Sequence, residues 1–207
     1  MENLTFEMLF PTPVLFKQLN RELTKEELNF FNLSFSEDKF TQNVANKCSK
    51  NSYILDQEEL LGLKKTFTEC VNDYFQHVYK PKYPIDIFIT QSWLNITNQN
   101  EHHHIHNHCN SLVSCVFYLE VDEKEDSIVF HESLKPNQLQ IESKSYDNFN
   151  ARAWIFKVKK GQLVIFPSYL THSVQQSISD QKRISLAFNT FFKGTIGEAY
   201  SFSELKI

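Results

Sequence analysis

After Tyr83 the apolar residues change period, and that change limits what the chain can become. Before it, Leu60, Leu63, Phe67, Val71, Tyr74, Phe75 and Val78 recur every three or four positions, the stripe of an amphipathic helix of about six turns. After it, Ile85, Ile87 and Ile89 alternate and lead into Trp93-Leu94-Asn95. Further strand-like runs occupy 112–121, 127–132, 153–158, 162–166, 171–175 and 183–192. A helical first third followed by about eight strands predicts an α+β, mainly β chain. Its strands would close into a two-sheet jelly roll or barrel, braced by the N-terminal helices.

The predicted organisation is a single domain over residues 1–207, with a helical part (1–80) packing on a β core (83–207). Pro81-Lys82-Tyr83-Pro84 is the joint between them, because the apolar faces of the first part need the sheet for burial. Leu9-Phe10-Pro11-Thr12-Pro13-Val14 reads as an extended opening strand, since proline biases its predecessor away from helix. Thr24-Lys25-Glu26-Glu27 and Asp56-Gln57-Glu58-Glu59 both read as capping boxes that open helices. Nineteen phenylalanines against four glycines imply an aromatic-filled interior with few left-handed turns.

A net charge of −4 without a long basic run disfavours a broad phosphate-binding face, and so a nucleic-acid partner. Cys48, Cys70, Cys109 and Cys115 lack CxxC spacing, which makes a reduced, cytoplasmic setting the expectation. The segment MENLTFEMLF has neither a basic leader nor a long apolar run, so no signal peptide or membrane contact is expected.

Five of the eight histidines fall within Glu101–His108. On a strand His102, His104, His106 and His108 would share one face, and His103 would point the other way as the weakest candidate. Position favours the last pair. His106-Asn107-His108 is followed by a turn-like Cys109-Asn110-Ser111 and then the apolar strand Leu112–Leu119, which sets the pair at the mouth of a barrel. A third imidazole, His172, follows the apolar Leu163-Val164-Ile165-Phe166 and Pro167. Two imidazoles on one strand face and a third on another strand can close a facial metal site with open positions. The bland alternatives are a solvated polar loop and a satisfied core histidine.

Arg183 opens an apolar strand, where a guanidinium is costly unless paired. A bound dicarboxylate would pair it through a two-pronged hydrogen bond, and a structural salt bridge is the alternative. Ser185, on the same face, could add a second hydrogen bond to that carboxylate.

Taken in order, several segments carry a resemblance over nearly the whole chain. They are Leu9–Val14, Trp93-Leu94-Asn95, His106-x-His108-x-x-Ser111-x-x-Ser114 with Tyr118-Leu119, Phe166-Pro167-Ser168-x-x-x-His172-x-Val174, and Arg183-Ile184-Ser185-x-Ala187-Phe188-Asn189. The chain resembles the 2-oxoglutarate- and Fe(II)-dependent oxygenase superfamily, and within it a small branch of marine bacteria and phages. The resemblance implies a double-stranded β-helix, Fe(II) on His106, His108 and His172, and the far carboxylate of 2-oxoglutarate on Arg183 and Ser185. It further implies Asn95 and Tyr118 as contacts of 2-oxoglutarate. It implies a reaction with O2 that releases succinate and CO2, with hydroxylation as the default outcome. The substrate class stays open among peptide side chains, small metabolites and modified bases, and the weak charge favours the first two. A homo-oligomer is left open. The setting implied is cytoplasmic, in a bacterium or in a host cell for a phage-encoded chain.

The chain departs from the superfamily at one position. Where an aspartate or glutamate usually follows the first ligand, His108 stands, which leaves the metal without a neutralising carboxylate unless Glu101, Glu120 or Glu132 supplies one. The rival readings are a cupin that acts without 2-oxoglutarate and a metal-free jelly-roll binding module. Gly161, Pro167 and His172 match the second cupin motif except at Tyr169. The Leu112-Val113-Ser114 run lacks the glutamate of the first motif, and Arg183 would have no role in a cupin.

Overall fold

A computed structural model describes residues 4–132 and 141–207. Twelve strands and two helices follow in the order β1 (Leu15–Gln18), α1 (Lys25–Ser34), β2 (Phe40–Gln42), β3 (Lys47–Ser49), α2 (Leu61–Tyr79), β4 (Ile85–Thr97), β5 (His103–His106), β6 (Val113–Glu120), β7 (Ser127–His131), β8 (Ala153–Lys157), β9 (Gln162–Pro167), β10 (His172–Val174), β11 (Arg183–Ile196) and β12 (Leu205–Lys206), counted among the described residues. The larger sheet runs β1-β9-β6-β11-β4-β3-β2, with β12 beside β11, and the smaller runs β5-β10-β7-β8. Every pairing between named strands is antiparallel. The protein is mainly β, as the alternating pattern after Tyr83 implies.

The apolar stripe of α2 lies against the larger sheet. Leu60, Leu63, Phe67 and Val71 are each fully buried, together with Leu94, Leu163, Ile165, Leu186 and Phe188 from the strands. Each such side chain stabilises the fold by roughly 1.5–3 kcal/mol relative to exposure. Phe67 stacks on Phe188 of β11, with ring centroids 5.1 Å apart and planes at 18°. The helix therefore props the strand whose other residues line the cavity described below. A second core of Tyr118, Ile128, Phe130, Val164, Phe166 and Leu170 lies between the two sheets.

Thr24 caps α1 as expected. Its hydroxyl accepts from the Glu27 N–H at 3.2 Å, and the Glu27 carboxylate accepts from the Thr24 N–H at 2.9 Å. The second capping box does not form. Asp56 instead pairs with Lys64 at 2.5 Å, and the chain enters α2 through a 3₁₀ turn over Glu58–Leu60 whose backbone bonds do the capping. The opening strand also differs. It lies at Leu15–Gln18 rather than 9–14, because Phe10 takes a positive φ of 59° that breaks the extended run.

The first third is not wholly helical. Strands β2 and β3 form a hairpin that joins the sheet beside β4, and at three residues each they are too short to show alternation. All four cysteines are unpaired. Among the described residues no helix is long and apolar enough to cross a membrane.

Candidate active site

Three imidazoles meet at the end of the smaller sheet. The ladder between β5 and β10 sets His106 opposite His172. His108 lies just beyond β5, where its backbone N–H donates to the Ser168 carbonyl at 3.0 Å. Ring centroids are 4.3 Å apart for His106 and His172, 5.0 Å for His106 and His108, and 5.1 Å for His108 and His172. One nitrogen from each lies within 4.8 Å of the other two, close enough that the group could hold a metal ion.

Backbone carbonyls set the tautomers of two of these rings. His106 Nδ1–H donates to the His104 carbonyl at 2.8 Å, and His172 Nδ1–H donates to the Leu170 carbonyl at 3.0 Å. A carbonyl can only accept, so in each ring Nδ1 carries the proton and Nε2 keeps its lone pair for a metal. Burial, then the neighbouring imidazoles, pushes His108 down to about 4 and His172 down to about 2, and burial also lowers His106. All three are therefore neutral at pH 7, the form that ligates.

His103 corrects the sequence reading. It does not point away from the other histidines. It stacks on His106, with centroids 4.6 Å apart and planes at 16°, and lines the same cavity. The cause is a bulge in the β5–β10 ladder, which no side-chain pattern announces.

The same cavity reaches from the imidazoles to Arg183. Arg183 is 3% exposed. Its Nη1 donates to the Ser127 carbonyl at 2.7 Å, and its Nη2 donates to Tyr118 Oη at 3.4 Å. Among the described residues no carboxylate pairs with it, so the structural salt bridge weighed from the sequence is not formed. Ser185 sits between Asn95 of β4 and Tyr118 of β6 in the ladder, and all three line the cavity. Asn95 Oδ1 is buried without a hydrogen-bond partner. A cavity wall with a buried guanidinium that no carboxylate among the described residues pairs suits an anionic ligand.

His172 lies opposite Phe130 on β7, and Arg183 binds the carbonyl of Ser127 on the same strand. Those three residues of extended chain cover roughly 10 Å. That matches the reach of an extended five-carbon diacid bound to an ion at the imidazoles.

Residues 91–189, which contain every one of these side chains, match the model of a family described as "Putative 2OG-Fe(II) oxygenase". The chain belongs to the 2-oxoglutarate- and Fe(II)-dependent oxygenase superfamily.

The oxygenase shares its fold with solved structures of low sequence identity. The prolyl-4-hydroxylase of Pseudomonas putida superposes with a TM-score of 0.58 at 13% identity, over 87% of this chain and 92% of that one. HygX from Streptomyces hygroscopicus, solved with nickel, 2-oxoglutarate and hygromycin B, gives 0.59 at 10% identity, over 86% and 82%. The alpha-ketoglutarate-dependent epimerase SnoN from nogalamycin biosynthesis gives 0.62 at 9% identity, over 91% and 84%. No protein of curated function matches the chain in sequence.

No carboxylate joins the imidazole group of this oxygenase among the described residues. Glu101 accepts from the Asn98 backbone and side chain at 2.8 and 3.0 Å, and Glu120 pairs with Lys160 at 2.5 Å. Sequence reasoning also missed three hydroxyls beside the site, of which those of Ser114 and Ser168 are buried and that of Ser111 half-buried. Ser168 Oγ lies 2.6 Å from Ser111 Oγ and 2.7 Å from Ser114 Oγ, and Ser114 donates to Asn189 Oδ1 at 2.8 Å. These bonds tie the turn after His108 to β9 and β11. Trp93, whose ring centroid lies 5.7 Å from that of His108, completes the wall. The motif segments quoted from the sequence contain all five residues, but nothing in their spacing assigns them this work.

Proposed function

We propose that this oxygenase binds Fe(II) through His106, His108 and His172 and binds 2-oxoglutarate in the cavity between those imidazoles and Arg183. The two sheets are the walls of a double-stranded β-helix, and the cavity is its interior. The observation that carries the reading is the pairing of two features in one cavity: three neutral imidazoles at one end, and at the other a buried guanidinium that no carboxylate among the described residues pairs. The residues suit the metal, since two Nε2 lone pairs are fixed by backbone carbonyls.

When bound, Fe(II) and 2-oxoglutarate activate O2, releasing succinate and CO2 and oxidising a second substrate. The chain's own residues bind, orient and exclude water. Arg183, anchored by the Ser127 carbonyl, keeps donors free to hold the distal carboxylate, and Ser185 adds a hydroxyl beside it. Asn95 lines the cavity and can turn its amide N–H toward a carboxylate, and Tyr118 lies against the guanidinium. Val116, Ile128, Phe166 and Ala187 supply apolar walls that keep water from the reacting end. Hydroxylation of a small-molecule or peptide substrate is the outcome proposed. HygX, solved with hygromycin B, shows a small molecule bound by a protein of this fold.

The test is oxygen-dependent release of succinate from 2-oxoglutarate by the Fe(II)-loaded protein, with and without pools of peptides or small metabolites. Succinate formation that is lost in Arg183→Ala supports the reading. A folded, iron-loaded protein that leaves 2-oxoglutarate unbound and unconsumed would refute it.

A further inference from the structure

β5 is not a regular strand. His106 lies opposite His172, while His103 lies opposite Val174, so His104 and Ile105 together face the single residue Ser173. This bulge turns His103 to the side of His106. The His104 ring then lies 5.1 Å from that of His103 and 4.9 Å from that of His106, centroid to centroid. One nitrogen from each of the three lies within 4.8 Å of the other two.

Two further observations point to a ligand here. His104 Nδ1 is buried without a hydrogen-bond partner, a costly state for a polar atom unless something else occupies it. The hydrogen-bonding contacts of the His103 ring among the described residues are long ones with the turn between β2 and β3. Asn46 Nδ2 lies 3.3 Å from its Nδ1 and Asn43 Nδ2 lies 3.4 Å from its Nε2. Contacts of that length are weak, so the ring can release a nitrogen at little cost.

We propose that His103, His104 and His106 form a second divalent-cation site, suited to imidazole-preferring ions such as Ni(II), Cu(II) or Zn(II), that shares His106 with the iron site and so excludes it. The proposal rests on the reading of His106, His108 and His172 as the iron ligands. Exclusion follows from the His106 tautomer. Its Nδ1–H is held by the His104 carbonyl, which leaves one lone pair, and one lone pair binds one ion. The outer group is half-exposed at all three positions, whereas the inner one includes buried His172. Fe(II) stands below Ni(II), Cu(II) and Zn(II) in affinity for nitrogen ligands, so one of those ions held in the outer group through His106 would keep iron from the inner one.

Calorimetric titration of the metal-free protein with Ni(II) tests this, using His103→Gln/His104→Gln to disable the outer group and His108→Gln/His172→Gln to disable the inner one. The native protein should bind one ion. The inner-disabled variant should still bind one, and adding the two outer substitutions should abolish it. His104→Gln alone in the inner-disabled background, a change at a half-exposed position, should weaken binding at least tenfold and gives the answer should the fourfold variant not fold. Two ions bound by the native protein would overturn the shared arrangement. An inner-disabled variant that binds nothing, beside an outer-disabled variant with native affinity, would overturn the second site and leave the iron-site reading standing. The reverse pattern would refute the iron-site reading, and the shared arrangement with it.

Discussion

The guanidinium carbon of Arg183 lies 5.1 Å from the centroid of the Tyr118 ring, and both side chains are buried. The ring face and the Ser127 carbonyl compensate the charge in part, and a dicarboxylate would complete it. Arg183→Ala should therefore weaken 2-oxoglutarate binding by about 2–5 kcal/mol, the range for truncating one side of a buried charged pair. Arg183→Lys should restore only part of it, because an ammonium lacks the planar fork. Tyr118→Phe keeps the ring face and should cost much less than Arg183→Ala. Anaerobic 2-oxoglutarate titrations of the three folded variants check this, and equal affinity in Arg183→Ala would refute the assignment.

The metal ligands should tolerate a return to the more common ligand set. His108→Asp should keep metal at neutral pH, and His108→Ala should lose much of it. Metal titrations of both variants decide this, and unchanged binding in His108→Ala would remove His108 from the inner site.

Acid should destabilise the metal-free protein in a defined window. The unfolded imidazoles titrate near pH 6.5, whereas burial lowers His108 to about 4, His103 to about 3 and His172 to about 2 in the folded chain. Between those values the unfolded state binds more protons, so stability falls as pH falls below about 6.5 and levels off above it. At pH 5 to 6.5 His108 and His172 are still neutral in the folded chain and open to a metal ion. Urea midpoints of metal-free protein across pH 4 to 8 test the sign, and a midpoint that rises toward pH 5 would contradict it.

Phe67 couples the helix to the cavity. It is fully buried and packs on Phe188 and Phe117, both at centroid distances of 5.1 Å, and Phe188 lines the cavity. Phe67→Ala should cost about 3–5 kcal/mol. Above the resulting unfolding midpoint no ligand affinity can be read. Below it, 2-oxoglutarate binding should weaken, since β11 loses its prop. Unaltered urea stability would show that α2 does not brace the sheet.

Much of the fold was legible because burial leaves a period in the sequence. The stripe from Leu60 to Phe75 and the alternations from Ile85 onward are direct imprints of one helix face and of strand faces. The parts that escaped are those held by backbone geometry. The hairpin of β2 and β3 is too short for a period, the turn into α2 is capped by main-chain bonds, and the opening strand moved because Phe10 is left-handed. The same division holds at the site. The sequence places His106 and His172 on separate strands, the ladder alone gives the register that sets them opposite, and Arg183, Ser185, Asn95 and Tyr118 line one cavity with them. His103 was misread because the bulge in β5 shifts the face by one residue, and a bulge without glycine or proline leaves no mark in the residue pattern.

The most direct test of the central claim is the visible spectrum of the anaerobic protein with Fe(II) and 2-oxoglutarate. A weak metal-to-ligand charge-transfer band should appear that needs both components, is lost in His172→Ala and is weakened in Arg183→Ala at equal 2-oxoglutarate concentration. A folded native protein that binds Fe(II) and shows no such band at saturating 2-oxoglutarate would contradict it.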